Sequence, residues 1–397
     1  MTPYSGILLF TGPAMPRRSL LAALAFGMHG VVTWALRTRR HRKRISRYRA
    51  AFGRNNLLRD TPTPQYQDTV REFWQAHYGK TVNPLWHVAC ANVTGTEDVR
   101  YVPNDIWFDE ILPFFNKMSM RPAYIDKNLA DLLLGNPRAP ATIVRRMHGQ
   151  YYDSSNQWIS RDAALAAILG GPPEQIIKPS LTDNGVGIRK LEIVAGTLTL
   201  KGNATTVEAL EGTHGADFIV QARISQHPTM AAPHPSSVNT IRMVTFRWNN
   251  DIRVLMSFAR FGTRGNLTDN AGTGGVCCGI GEQGQMNGTA VDEHGTVYQH
   301  HPTSGYDFGA RAVVPHYDDM CQHAIALHRR IRHFDIVSWD FAVGENGEPV
   351  FIEFNVRGAS HIYQFACGRP LFGELTQEVL EFMRDRGGKR FDVSFDS

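Results

Sequence analysis

The clearest alternation of apolar and polar positions lies near the end of the chain. Ile336 to Val343 reads as a strand, Gly344-Glu345-Asn346-Gly347 is turn material, and Pro349 to Asn355 reads as the returning strand, so residues 335–355 predict a β-hairpin. Period-two geometry puts Glu353 and Asn355 on one face, with Ile352 and Phe354 on the other, and lets Asp340 on the partner strand point the same way.

Upstream, helical spacing predicts helices over Asp68–Tyr78, with Val70, Phe73, Trp74 and His77 toward one side, and over Tyr317–His333. Asp126-Lys127-Asn128 leads a leucine-rich helix over 129–134 that Gly135-Asn136-Pro137 ends, and Ser160 is the expected N-cap of a helix over 161–169 stopped by Gly170-Gly171. Strands are expected over 141–152, 174–178, 217–226, 239–245 and 253–261. Residues 269–275 form a glycine-rich loop and residues 288–296 an exposed hairpin. The fold class is α+β. An apolar helix with a basic segment occupies 1–54, a helical or mixed cap 55–120, and the main domain 121–385, with a lobe boundary near 220–226.

With 397 residues and 42% hydrophobic content, the chain can bury a core for two or three domains and is neither disordered nor fibrous. Its five cysteines (Cys90, Cys277, Cys278, Cys321, Cys367) show no zinc spacing and no C-x-x-C, which points to reduced thiols in a cytoplasmic setting, with Cys277-Cys278 as a buried strand pair. The net charge of +5 is uneven: residues 1–50 hold ten of the 42 Lys and Arg and no Asp or Glu, so the rest of the chain carries 32 basic against 37 acidic residues. Ser19–Leu36 is nearly all apolar and Arg37–Arg49 follows it. Three readings stand: a helix packed on the body or resting on an anionic membrane surface, a membrane span, and a signal peptide, disfavoured because the charge follows the apolar run. No aromatic interleaving or reader motif accompanies the basic run, which argues against nucleic acid.

Three places carry candidate chemistry. Asp340, Glu353 and Asn355 offer two carboxylates and an amide oxygen beside an apolar layer, a set that suits Mg2+ shared with phosphate oxygens. Lys178, at a strand end before a loop containing Gly185 and Gly187, suits a phosphate cradle, because glycine lets backbone amides approach and lysine adds a point charge. No G-K-[ST] opens a helix, so this is not a Walker loop. Arg242, on an alternating strand, needs an anionic partner, either a phosphate or a structural carboxylate. Lys127 is either a solvated lysine at a helix start or a phosphate ligand. His301 stands in a turn where it is either structural or a catalytic group. The strand through Val220, Gln221 and Ala222 leads into an expected interlobe hinge whose backbone suits the edge of an adenine.

These parts together, with Gln226-His227-Pro228, Asn239-Thr240-Ile241-Arg242, Asp269-Asn270, Gly274-Gly275, His301-Pro302 and Trp339-Asp340, resemble the ATP-grasp superfamily, and within it the sugar-transfer-associated, glutamate-ligase-related family, over roughly residues 115–375. The resemblance implies ATP clamped between two α+β lobes. Lys127 and Lys178 would hold phosphates, Val220, Gln221 and Ala222 would read adenine, and Arg242 would stabilise the transferring phosphoryl group. Asp340, Glu353 and Asn355 would bind Mg2+, and Arg260, Arg264 and His301 would lie near the acceptor. The implied reaction is ATP-dependent joining of a small-molecule carboxylate to an amine through an acylphosphate, in cell-surface polysaccharide or related biosynthesis. The alternatives are a small-molecule kinase and a nucleotide-binding membrane scaffold. The chain departs from the pattern at Gln221-Ala222-Arg223, where a ribose-binding acid is common. Substrate identity and oligomeric state stay open.

Overall fold

A computed structural model describes residues 43, 45–58, 64–135, 137–182, 185–266 and 268–387. The apolar stretch Ser19–Leu36, most of the basic run after it, and Asn184 of the glycine loop lie outside the described residues. Among the described residues no helix is long and apolar enough to cross a membrane. The chain divides into two compact units, Met1–Ala51, whose described residues are helical, and Phe52–Ser397; the second carries all that follows.

The second unit opens with helices. α1 (Pro64–Tyr78) buries Tyr66, Val70, Trp74 and Tyr78, a stripe at four-residue spacing. Phe73 and His77, expected on that stripe, flank it instead, and His77 Nδ1 lies 2.8 Å from Glu381 Oε1 near the C-terminus of the unit. α2 (Leu85–Thr94) is buried along most of its length, and residues 104–115 form a helical run whose middle, Trp107–Ile111, is π-helical.

The smaller lobe is built on an eight-stranded sheet. Its elements are β1 (Thr142–Met147), β2 (Gln150–Tyr152), β3 (Trp158–Ile159), α3 (Arg161–Leu169), β4 (Glu174–Pro179), β5 (Arg189–Val194), β6 (Thr197–Leu200), β7 (Asn203–Ala204), α4 (Val207–His214) and β8 (Phe218–Ala222), with strand order β3-β2-β1-β8-β4-β5-β6-β7. The segment 141–152, expected as one strand, is a hairpin, because His148 and Gly149 take positive φ (49° and 79°) and turn the chain. Ser160 Oγ accepts the Ala163 amide at 3.1 Å, capping α3 as its sequence predicts. α3 then buries Ala164 and Ile168 against Val144 and Ile177, and a fully buried Ile contributes about 1.5–3 kcal/mol.

The larger lobe carries a seven-stranded sheet of β9 (Thr240–Trp248), β10 (Asp251–Phe261), β11 (Val276–Ile280), β12 (Ala290–Val291), β13 (Val297–Tyr298), β14 (Ile336–Val343) and β15 (Pro349–Asn355), in the order β13-β12-β11-β10-β9-β14-β15. α5 (Tyr317–Arg330) precedes β14, and α6 (Ser360–Cys367) and α7 (Thr376–Asp385) close the described chain. β14 is buried at all eight positions because the sheet is covered on both faces. Cys277 and Cys278 are free and buried on β11.

Candidate active site

A cavity of about 550 Å³ opens between the two sheets. Its floor is the hairpin read from sequence, in which Asp340 pairs across the ladder with Glu353, and Ser338 with Asn355. Cross-strand partners share a face, so Asp340, Glu353 and Asn355 all line the cavity. One detail departs from simple alternation. The register slips between Asp340 and Phe341, so that Phe341 pairs with Phe351 and Ile352 is the extra residue of a bulge. Ile352, expected on the far face, therefore lines the cavity beside Glu353.

Asp340 is the centre of a buried ionic network. Arg242 binds it through both oxygens, Nε to Oδ1 at 2.7 Å and Nη2 to Oδ2 at 2.6 Å, and Arg260 Nη1 reaches Oδ2 at 2.9 Å. Burial alone would raise the Asp340 carboxyl, but the two guanidiniums outweigh it and hold the group below the usual carboxylate range. Arg260 Nη2 also donates to Asp269 Oδ1 at 2.8 Å, and the Thr240 amide and hydroxyl donate to Asp269 Oδ2. Burial pulls the Asp269 carboxyl upward; the three donors around its two oxygens fit the ionised form. The partner of Arg242 in this structure is thus a carboxylate, and the residue lines the cavity as well.

The opposite wall is cationic. Lys178, at the end of β4, is buried, and burial pushes its ammonium down to about 8, opposed by Glu353 and reinforced by Lys127. Lys127 Nζ donates to the Thr182 carbonyl at 2.6 Å and lies 3.5 Å from Glu353 Oε2. Asp126 accepts the Asn128 amide at 2.9 Å and fixes the turn that presents Lys127. Gly185 has φ 70°, lines the cavity, and sits so close to the other lobe that a Cβ there would meet Thr268 Cγ2 at 2.9 Å. Gly187 does not line the cavity; with φ 83° it packs on Pro179, and its carbonyl lies 3.1 Å from His214 Nε2.

A family model described as sugar-transfer associated ATP-grasp matches residues 113–379, more than half of the chain. The protein belongs to this ATP-grasp family. Its fold is accordingly the ATP-grasp fold of two α+β lobes. Among solved structures, it is similar to biotin carboxylase from Campylobacter jejuni (14% identity, 68% of this chain and 48% of that chain, TM-score 0.41). It is also similar to VanG D-Ala:D-Ser ligase from Enterococcus faecalis (12%, 66% and 61%, TM-score 0.37) and to D-alanine–D-alanine ligase from Bacillus anthracis (11%, 66% and 68%, TM-score 0.37). The chain therefore spans about half of the first and three fifths of the second. A comparison with curated proteins finds no match.

In this ATP-grasp protein the expected hinge divides. Gln221 and Ala222 line the cavity, and the Ala222 amide donates to the Ala141 carbonyl at 2.8 Å. Val220 lies inside the sheet between Val144 and Ile177, with its side chain in the core of the smaller lobe. Arg223 and Ile224, just past β8, line the cavity too, and Arg223 Nη1 donates to Glu174 Oε2 at 2.5 Å. His301 is buried outside the lining. Its Nε2 lies 2.8 Å from the Gly262 carbonyl, and its Nδ1 accepts the Thr303 and Ser304 amides at 3.3 and 3.2 Å, so the ring fastens the loop after β10. Arg264, at φ 56°, is also outside the lining, whereas Arg260 is within it.

The donor set fits a small hard cation that also takes oxygens from a ligand. Among the described residues no group of three or more His, Cys, Asp or Glu converges as a closed metal cage. Two carboxylates and an amide leave room for phosphate and water oxygens, as Mg2+ requires, and Asp340 Oδ1 accepts Arg242 Nε alone, so one lone pair remains. Sequence reading missed Arg357, two residues past Asn355, although the spacing that singled out Glu353 and Asn355 extends to it. It also missed Asp269 as the second partner of Arg260, a contact between different strands and loops that no local pattern announces.

Proposed function

We propose that the protein is an ATP- and Mg2+-dependent ligase that joins a carboxylate to an amine, releasing ADP. The observation that carries this reading is the facing of Glu353 and Asn355, on one wall of a single cavity, with Lys127 and Lys178 on the other. In the proposed reaction the γ-phosphoryl group passes to a carboxylate oxygen of the acid, giving an acylphosphate. The amine nitrogen then attacks the carbonyl carbon, the C–O bond to phosphate breaks with its electron pair leaving on phosphate, and the amine proton goes to solvent. Asp340, Glu353 and Asn355 would hold Mg2+, which would neutralise charge on the phosphates when bound. Lys127 and Lys178 hold the phosphate chain, Gly185 lets backbone approach it, and Gln221 with Ala222 borders the base. Arg242 and Arg260, fixed on Asp340, aim positive charge at the point where negative charge develops. The substrates in this reading are a small-molecule acid and amine, and the reading sets the product in cell-surface polymer assembly, with the nucleotide in the cytoplasm; the family's description as sugar-transfer associated supports the former.

The test is ADP release from MgATP against a panel of carboxylic acids and amines, with a Glu353→Ala control. Turnover that needs both an acid and an amine and disappears in the variant supports the ligase. ADP release that needs an acceptor but no amine would favour a kinase, and an inability to bind MgATP would overturn the reading.

A further inference from the structure

Where α6 covers the larger sheet, the cavity floor ends in a buried pair of hydroxyls. Asp340 and Ser338 share one face of β14 by period-two geometry, and their ladder partners are Glu353 and Asn355. Asp340, Glu353 and Asn355 line the cavity, whereas Ser338 does not. Ser338 is buried instead, and its Oγ lies 2.8 Å from the hydroxyl of Tyr363. Tyr363 comes from α6 and is fully buried, with its ring against Phe258, centroids 5.5 Å apart. Phe258, on β10, is the ladder partner of Arg242.

The Tyr363 hydroxyl also sits directly under the chain that leaves β15. A Cβ on Gly358 would fall on the tyrosine oxygen, so only glycine leaves room for the hydroxyl there. The Gly358 carbonyl accepts Trp107 Nε1 at 2.6 Å, which pins the same backbone. Burial raises the Tyr363 phenol, and the charge of Arg242 opposes that rise without outweighing it, so the group stays protonated and keeps a hydrogen to donate. One buried hydroxyl thus meets the partner strand of Asn355, the chain just past Asn355, and a ring beside Arg242. Removing its oxygen would take a hydrogen bond from buried Ser338 and open space under Gly358.

We infer that Tyr363 is a positioning residue for the candidate Mg2+ site: through Ser338 and the close fit at Gly358 it sets where Asn355 presents its carboxamide oxygen beside Asp340 and Glu353. This rests on the ligase reading above. Tyr363 does not line the cavity, so it acts only through these neighbours. Partners that orient metal ligands from behind govern metal affinity, and losing one weakens it about 10–100-fold.

Mn2+ serves as the probe, since electron paramagnetic resonance counts the free ion directly; the full chain is titrated with Mn2+ at saturating AMP-PNP, and thermal unfolding reports that each variant is folded. Tyr363→Phe, which removes one oxygen and keeps the ring, is expected to weaken Mn2+ binding about tenfold or more. Ser338→Ala gives a similar loss, and the double variant loses no more than either single one, because both act through one hydrogen bond. His301→Gln breaks a buried hydrogen bond outside the cavity and is the control for general loosening, with Mn2+ affinity within about twofold of the parent. Unchanged Mn2+ affinity in Tyr363→Phe overturns the inference and leaves the ligase reading standing. An equal loss in His301→Gln makes the effect one of stability and overturns it too. Should Tyr363→Phe fail to fold, Ser338→Ala decides alone: a loss supports the inference and unchanged affinity overturns it. A parent that binds no Mn2+ with AMP-PNP overturns the ligase reading and the inference together.

Discussion

On the wall formed by the seven-stranded sheet, Arg242, Arg260, Asp340, Asp269 and Thr240 satisfy one another before any ligand arrives. On the wall formed by the smaller lobe, Lys178 is buried with no carboxylate at salt-bridge distance among the described residues, and Lys127 comes no nearer than 3.5 Å to Glu353. One wall is complete and the other carries surplus positive charge. A complete network keeps its geometry through a reaction, and so suits groups that must not reorganise when charge develops. A buried, undercompensated lysine gains most from an incoming anion, and so suits binding.

The largest effect that can break this contrast is expected at the complete wall. Asp340→Ala leaves two guanidiniums buried around a lost carboxylate and should lower unfolding free energy by about 3–5 kcal/mol in a denaturant titration. Glu353→Ala, on the half-exposed rim of the same hairpin, should change stability by less than about 0.5 kcal/mol; equal losses in the two variants would erase the distinction. At the incomplete wall the expectation reverses. Lys178→Met should leave stability unchanged or raise it, while Mg·ATP affinity, read by calorimetric titration, drops about 10–100-fold.

The pH dependence sharpens the same point. The Lys178 ammonium sits near 8 in the ligand-free protein because burial disfavours the charged form. Phosphate stabilises that charged form, so above pH 8 binding takes up a proton and nucleotide affinity falls as pH rises, by at most about tenfold per pH unit. Lys178→Met should flatten this slope, and an unchanged slope would assign it elsewhere. Outside the cavity the effect is expected on stability alone. His301→Gln removes the staple on the Gly262 carbonyl and the loop amides, and should lower stability by about 1 kcal/mol with nucleotide affinity unchanged.

The hairpin was legible because its information is local. Two apolar runs, a glycine turn and the spacing of Glu353 and Asn355 fix the two strands and the face those residues share, though not the bulge at Ile352. Ser160 as a cap was legible for the same reason. The positions of Phe73 and His77 were not, since α1 meets α2 and α7 on different sides and the stripe a helix buries depends on where its neighbours stand. His301 had the composition of a functional residue, and only its three-dimensional partners give it a fastening role.

The amino-acid sequence by itself determined the family, the α+β elements, and the residue types that converge on the cavity: Lys127, Lys178, Gly185, Arg242, Arg260, Asp340, Glu353 and Asn355. The elements follow from period-two and period-four spacing, caps and turns, which act over a few neighbouring residues, whereas the family, and with it the place of Arg260, follows from the resemblance of its motifs. Tertiary structure alone decided the pairings: that Asp340 holds both Arg242 and Arg260, that a bulge turns Ile352 into the cavity, and that Phe108, about 250 residues away, supports Arg357. Charge pairing across strands and stacking between distant helices and loops depend on the packing of whole layers, and no local pattern in the chain encodes that.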